Sequence, residues 1–259
     1  MTGKQKIKDS LNHKSGKIPV DFGSTAVSGI HISIIEGLRR HYGLDNKPIK
    51  VLETYQMLGE IDYNLKQTIG IDTQGIIPWK NMFGVENTGW KEWKTPWGQD
   101  VLVPGGFQIT ESENDILIYP QGDTSVPPSG RMPEGGFFFD SINRQEPFED
   151  DNLKAEDNLE EFGLISDQAL NYYQKQIEKL KDTELALVGD FGGTAVGDIA
   201  LVPGPGLKHP KGIRDVAEWY MSTVMRQDLL HEIFDKQTKM AVKNLERIYE
   251  VIGENIQVV

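Results

Sequence analysis

The chain has 259 residues, 38% of them hydrophobic and 25% charged, with a formal net charge of −12 and no cysteine. The length supplies a sizeable core. The acidic balance argues against nucleic acid, which needs a basic face, and the missing cysteines exclude disulfides, thiolate zinc sites and iron–sulfur clusters within this chain.

In chain order, residues 1–17 are basic and polar and lack the apolar stretch of a signal peptide. No run of roughly 18 apolar residues follows, so no membrane span is expected, and the expectation is a cytoplasmic protein. Lys4 to Lys14 reads as a short helix with Ile7 and Leu11 on one face. Ile18 to Phe22 is a strand candidate. Ile30 to Tyr42 reads as a helix with an Ile30, Ile34, Ile35, Leu38 stripe, stopped by Gly43. Met57, Leu58, Ile61, Leu65 and Ile69 extend a helical spacing back over Leu52 to Ile69. Asp72 to Ile77 is the second strand candidate, limited by Pro78.

From 79 to 140 glycine and proline become dense, and short apolar clusters predict an inserted β-hairpin or meander with strands near 89–94, 101–103 and 115–119. Trp79, Trp90, Trp93 and Trp97 lie at its start. Burial against the main body accounts for them more simply than an aromatic wall over a flat ligand. Residues 146–161 hold eight acidic side chains and one lysine, the pattern of a solvated linker or helix face. Ser166 is placed to cap a helix over 167–181. Leu185 to Phe191 is a third strand candidate, and Pro203-Gly204-Pro205-Gly206 a turned loop. Asp215 and Glu218 form a capping box for a helix to about Met225. Asp228 to Ile252 is a long amphipathic helix, and Ile256 to Val259 begins a fourth strand.

One stretch occurs twice. Asp21-Phe22-Gly23-Ser24-Thr25-Ala26-Val27-Ser28-Gly29-Ile30 returns as Asp190-Phe191-Gly192-Gly193-Thr194-Ala195-Val196-Gly197-Asp198-Ile199, identical at seven of ten positions. Each copy follows a short apolar run. Both read as the carboxyl end of a strand turning into a loop, where α/β folds place ligands. The expected site therefore has Asp21 and Asp190 as catalytic residues. Ser24, Thr25, His31, Gly192, Gly193 and Thr194 are expected to bind substrate. The glycines would let backbone approach a ligand, and the threonines would donate hydrogen bonds. The isolated histidines form no ligand cluster, so no metal is placed on them.

Alternating strands and helices imply a mostly parallel sheet with helices outside it. The wording of four segments is also familiar. Ile18-Pro19-Val20-Asp21-Phe22-Gly23-Ser24-Thr25, Tyr55-Gln56-Met57-Leu58-Gly59-Glu60, Pro127-Pro128-Ser129-Gly130-Arg131-Met132-Pro133 and Gly163-Leu164-Ile165-Ser166-Asp167 resemble the uroporphyrinogen decarboxylase superfamily. The nearest likeness is to its corrinoid- and cobamide-dependent methyltransferase-like branch. The resemblance runs from about Lys6 to Val259. It implies an α/β fold, a TIM-type (β/α)8 barrel of which this chain, as one domain over 1–259, covers about the first half. On that reading the chain is the front part of a longer protein.

The resemblance implies methyl transfer involving a methyl-corrinoid carrier, with a small-molecule or corrinoid-protein methyl donor and a homodimer as partners. Zinc, bound through a His-x-Cys pair and a later cysteine, and a corrinoid partner are implied for the full-length enzyme, and none within this chain. True uroporphyrinogen decarboxylation is the alternative. Against it, Ser24 and Ser28 stand where that enzyme's carboxylate-clamping arginines would be, Trp79 near its aspartate and Ala200 on its tyrosine. The third reading is a non-catalytic barrel fragment that needs a partner chain.

Overall fold

The structure is a computed structural model describing residues 1–192 and 195–259. Three sheets and three apolar clusters organise it.

Helix α1 (Gly3–Leu11) is capped by Thr2, whose hydroxyl accepts from the Gln5 N–H. It starts within one residue of the prediction but ends three residues before Lys14, and Leu11 is exposed. Its anchor is Gly3 instead: a Cβ there would lie 2.1 Å from the Asp72 carbonyl oxygen. Its carboxyl end closes in a left-handed turn at His13, with Lys14 N–H donating to Asp9 O and His13 N–H to Ser10 O. Helix α2 (Ile32–His41) ends in the same motif with glycine, Gly43, in the left-handed position. A non-glycine residue there pays a steric cost. His13→Gly is therefore expected to raise stability by about 1 kcal/mol, read as an increased urea midpoint; a lower midpoint would show that the imidazole makes a stabilising contact.

The helix predicted over 52–69 is not formed as one element. Instead β1 (Ile49–Glu53) turns back antiparallel into β2 (Leu58–Gly59), and only α3 (Tyr63–Ile69) is helical. The turn explains this. The Glu53 carboxylate accepts the N–H groups of Tyr55 and Gln56, both at 2.7 Å, and Met57 takes a left-handed φ of 55°. Local side-chain acceptance and a left-handed residue both interrupt a helix. Asp62 then caps α3 by accepting from the Leu65 N–H.

The predicted meander is present, but it recruits more chain than 79–140. Strands β4 (Lys91–Lys94) and β5 (Asp100–Val103) form a hairpin, and β5 pairs parallel with β1, giving the order β2-β1-β5-β4. A second sheet, β6 (Ile109–Glu111), β7 (Asp115–Ile118), β8 (Gly130–Pro133) and β9 (Asp140–Ser141), is antiparallel in chain order. α2 and both sheets bury one shared cluster, including Ile32, Val51, Phe83, Val101, Ile118 and Phe139. Trp93 and Trp97 pack against it, as the burial reading expected.

The predicted parallel strands form a separate pair. β3 (Thr73–Ile76) and β10 (Ala186–Gly189) run parallel in the register Thr73↔Ala186 to Gly189↔Ile76. Val258 bridges Val188 in parallel on the other edge of β10. Residues 18–20 meet only the start of β3, the Asp72 N–H donating to Val20 O and the Val20 N–H to the Asp72 carboxylate. One face of the pair, through Ile76 and Leu187, packs on α4 (Asp167–Leu180) and on α6 (Gln227–Ile252). Both helices match their predicted spans, α4 capped by Ser166 as expected.

Helix α5 (Val216–Met225) opens on the predicted Asp215 cap. It and α6 enclose the third cluster, around Ile213, Trp219 and Ile233. The acidic run 146–161 closes over that cluster through Phe148, Leu153, Ala155 and Leu159. It is clipped by Arg226 to Asp150, Lys236 to Glu156 and Arg214 to Glu160 and Glu161. It is thus a strap whose acidic side chains stay largely solvated, as its composition predicts, while its apolar residues pack inward. Among the described residues, no helix is long and apolar enough to cross a membrane.

Candidate functional site

The face of the parallel pair opposite α4 carries Thr73, Gly75, Ala186 and Val188, by the alternation of a strand and the β3–β10 register. The first twin loop lies on it. The Thr73 hydroxyl donates to Asp21, and the Ser24 hydroxyl donates to Thr73 Oγ1 at 2.8 Å. The loop then crosses β3 at Gly75, where a Cβ would sit 1.8 Å from the Ser24 carbonyl oxygen. Only glycine admits that backbone crossing. Gly23, at φ 72°, closes the loop by donating its N–H to Ser28 O at 2.7 Å.

Asp21 itself is exposed, while Ser24 is buried. Partial burial of the carboxyl pushes its pKa up, but the hydroxyls of Ser24, Thr73 and Ser28 and the Lys66 ammonium outweigh this and hold it below the usual carboxylate range. The Ser28 hydroxyl contributes from outside hydrogen-bonding geometry. Thr25 is half-buried. Thr73 and Lys66 are residues that sequence reasoning missed. Lys66 is 2% exposed, and its ammonium donates to Thr73 O at 3.2 Å and Gln74 Oε1 at 2.7 Å. Burial pulls it down to about 8, against the attraction of Glu60, Asp21 and Asp62. A lysine on a seven-residue helix carries no sequence signal for this; only its neighbour Leu65, at 0% exposure, marks the buried face.

His31 is committed elsewhere. It caps α2, its Nδ1 accepting from the Ser33 N–H at 3.2 Å, and its Nε2 lies 2.9 Å from the Phe137 carbonyl oxygen. The acceptor role of Nδ1 assigns the proton to Nε2, which donates to that carbonyl. The ring also packs on Trp97, 5.6 Å between centroids. Both nitrogens thus serve the structure of the α2 entry.

The second twin ends β10. Asp190 is half-buried and accepts from the Gly192 N–H at 3.3 Å. Gly193 and Thr194 lie outside the described residues. Beside Asp190 stands a row of rings: Trp79–Tyr172, Tyr172–Tyr173 and Tyr173–Phe191 have centroids 4.9, 5.8 and 5.1 Å apart. The Tyr173 hydroxyl accepts from the Trp79 N–H. Burial pushes Tyr173 up, the Trp79 N–H opposes this, and the Asp190 charge adds to the rise. Burial, with Tyr173 beside it, pushes Tyr172 up to about 12.

The structure does not bring the two aspartates together. Asp21 lies beside Thr73, the first residue of β3, whereas Asp190 follows Gly189, the partner of the last. That separates them by roughly 13 Å along the strand direction at 3.3 Å per residue. Asp21, Ser24, Thr73 and Lys66 form one polar cluster; Asp190 and Gly192 form another, beside the aromatic row. A groove of about 110 Å³ lined by Lys6, Asp9, Ser10 and Lys14 lies against α1, its Lys6 ammonium donating to Asp72, the neighbour of Thr73, at 2.6 Å.

Zinc does not fit the residues present. The chain has no cysteine, and among the described residues no three or more histidines, aspartates or glutamates gather where they could hold a metal. Comparison with protein-family models, curated proteins and solved structures finds no match to the chain.

Proposed function

We propose that this chain is a barrel protein of the uroporphyrinogen decarboxylase superfamily, from its methyltransferase-like branch, and that it acts in the cytoplasm on a methyl group carried by a corrinoid. The observation that carries this reading is the carboxyl end of β10. There a single carboxylate, Asp190, ends a parallel strand beside four packed rings, Trp79, Tyr172, Tyr173 and Phe191. An acid beside the half-buried rings of Trp79, Tyr172 and Phe191, with Tyr173 in the core behind them, suits the edge of a flat organic ligand with a polar rim. The parallel run β3, β10, Val258 supports the barrel.

In this reading Asp190 orients the ligand edge or holds a proton there. Asp21 belongs to the separate cluster at the start of β3, and in this reading it touches no ligand held at Asp190. No step is assigned to zinc.

The test is loss of methylcobalamin absorbance with a thiol acceptor, for the wild type and for Asp190→Asn. The substitution is expected to lower the rate by at least about tenfold, with the fold kept. Equal rates and equal methylcobalamin affinity would count against the assignment. A wild type inert here but releasing carbon dioxide from uroporphyrinogen would move the reading to decarboxylation.

A further inference from the structure

Burying a lysine is costly unless something on the protein uses its charge. The carboxylates that act on Lys66 are Glu60, Asp21 and Asp62. Two of them already have cations: Asp62 pairs with Arg39 and Lys47, and Glu60 with Lys50. Asp21 has none among the described residues; its hydrogen-bond donors are hydroxyls. Lys66 likewise forms no direct ion pair there, its ammonium resting on two neutral oxygens. One residue joins the two unmatched charges. Thr73 offers its carbonyl to the Lys66 ammonium and its hydroxyl to Asp21.

We propose that Lys66 is the positioning residue for Asp21: a buried cation that faces the carboxylate across Thr73 and holds the Asp21 loop on the sheet. The anchoring runs from α3 through the Thr73 carbonyl and Gln74, whose own amide donates to Gly75 O at 2.9 Å, under the point where Ser24 crosses. The coupling of the two charges does not depend on the function proposed above.

The experiment is an NMR titration of lysine Nζ and aspartate carboxyl resonances in the intact chain. Asp21→Asn keeps an acceptor for Thr73 at an exposed position, so it is expected to fold. It should lower the Lys66 midpoint, near pH 8 in the wild type, by at least about half a pH unit. Reciprocally, Lys66→Met should raise the Asp21 midpoint, since coupling between two sites is mutual. A Lys66 midpoint unmoved in folded Asp21→Asn overturns the proposal, whether or not Lys66→Met folds. If the titrations couple while the wild type transfers no methyl group, the pairing stands and the functional reading falls.

Discussion

Arg214→Met is expected to destabilise the protein by about 2 kcal/mol, the loss of charge-assisted hydrogen bonds from a buried guanidinium to partly exposed carboxylates. Arg214 is 2% exposed and uses the whole guanidinium. Nε donates to Lys211 O, Nη1 to Glu161 at 2.6 Å, and Nη2 to Asp157 O at 2.8 Å, with Glu160 at 3.4 Å. Methionine fills much of the volume but takes the guanidinium from the Lys211 and Asp157 carbonyls and from Glu161, while Glu160 keeps the Lys211 N–H at 2.9 Å. The strap 146–161 would then be held over the third cluster with one clip fewer. The measurement is a urea unfolding curve. A loss below about 1 kcal/mol, the scale of a surface pair, would show that the strap is held by Leu153, Ala155 and Leu159 alone. Lys236→Ala, which removes the exposed clip to Glu156, should instead change stability little and only at low salt.

The second large effect is a rise in stability with pH. Lys66 has a folded pKa of about 8 against an ordinary value of 10.5. Between those values the unfolded chain binds a proton that the folded chain has lost, so stability increases with pH across the window. Below pH 8 both states carry the proton, and the folded state bears the full cost of the buried charge. The gain from pH 8 to 10.5 attributable to Lys66 is about 3 kcal/mol. Tyr172 and Tyr173, whose folded pKa values are raised, lose stability as pH climbs above their unfolded value near 10, which opposes the gain at the top of the range. The comparison is therefore wild type against Lys66→Met, pH point by pH point, in which the tyrosine contribution cancels. The variant should lack the rise between pH 8 and 10. Parallel curves for the two proteins would show that the ammonium is solvated in the folded state.

Much of the fold was legible because it is local. Ser166 and Asp215 announce their helices with side-chain caps that act within three residues. The apolar stripes of α4 and α6 follow a period that sequence displays directly. The failure over 52–69 has an equally local cause that spacing conceals: Met57, Leu58, Ile61 and Leu65 fit a helical stripe, yet Glu53 accepting Tyr55 and Gln56 turns the chain first. The candidate site was half legible. Asp21 and Asp190 were marked by their repeated setting, but only Asp190 follows a strand; the strand expected over 18–22 is not formed. That His31 is spent on capping α2 and holding Phe137 could not be read, because Phe137 is 106 positions away.

The sequence by itself determined the capped and periodic helices α4, α5 and α6, the places of β3 and β10 along the chain, and the meander strands, all of which are marked by patterns within a few residues. The tertiary structure alone decided that β3 and β10 pair, that the acidic strap is clipped by Arg214, Arg226 and Lys236, that β1 joins the meander sheet, and that Asp21 faces Lys66 and not Asp190. These depend on pairs brought together across the fold and on the removal of water from charges. Neither distance nor desolvation is a property of a residue; both belong to its surroundings.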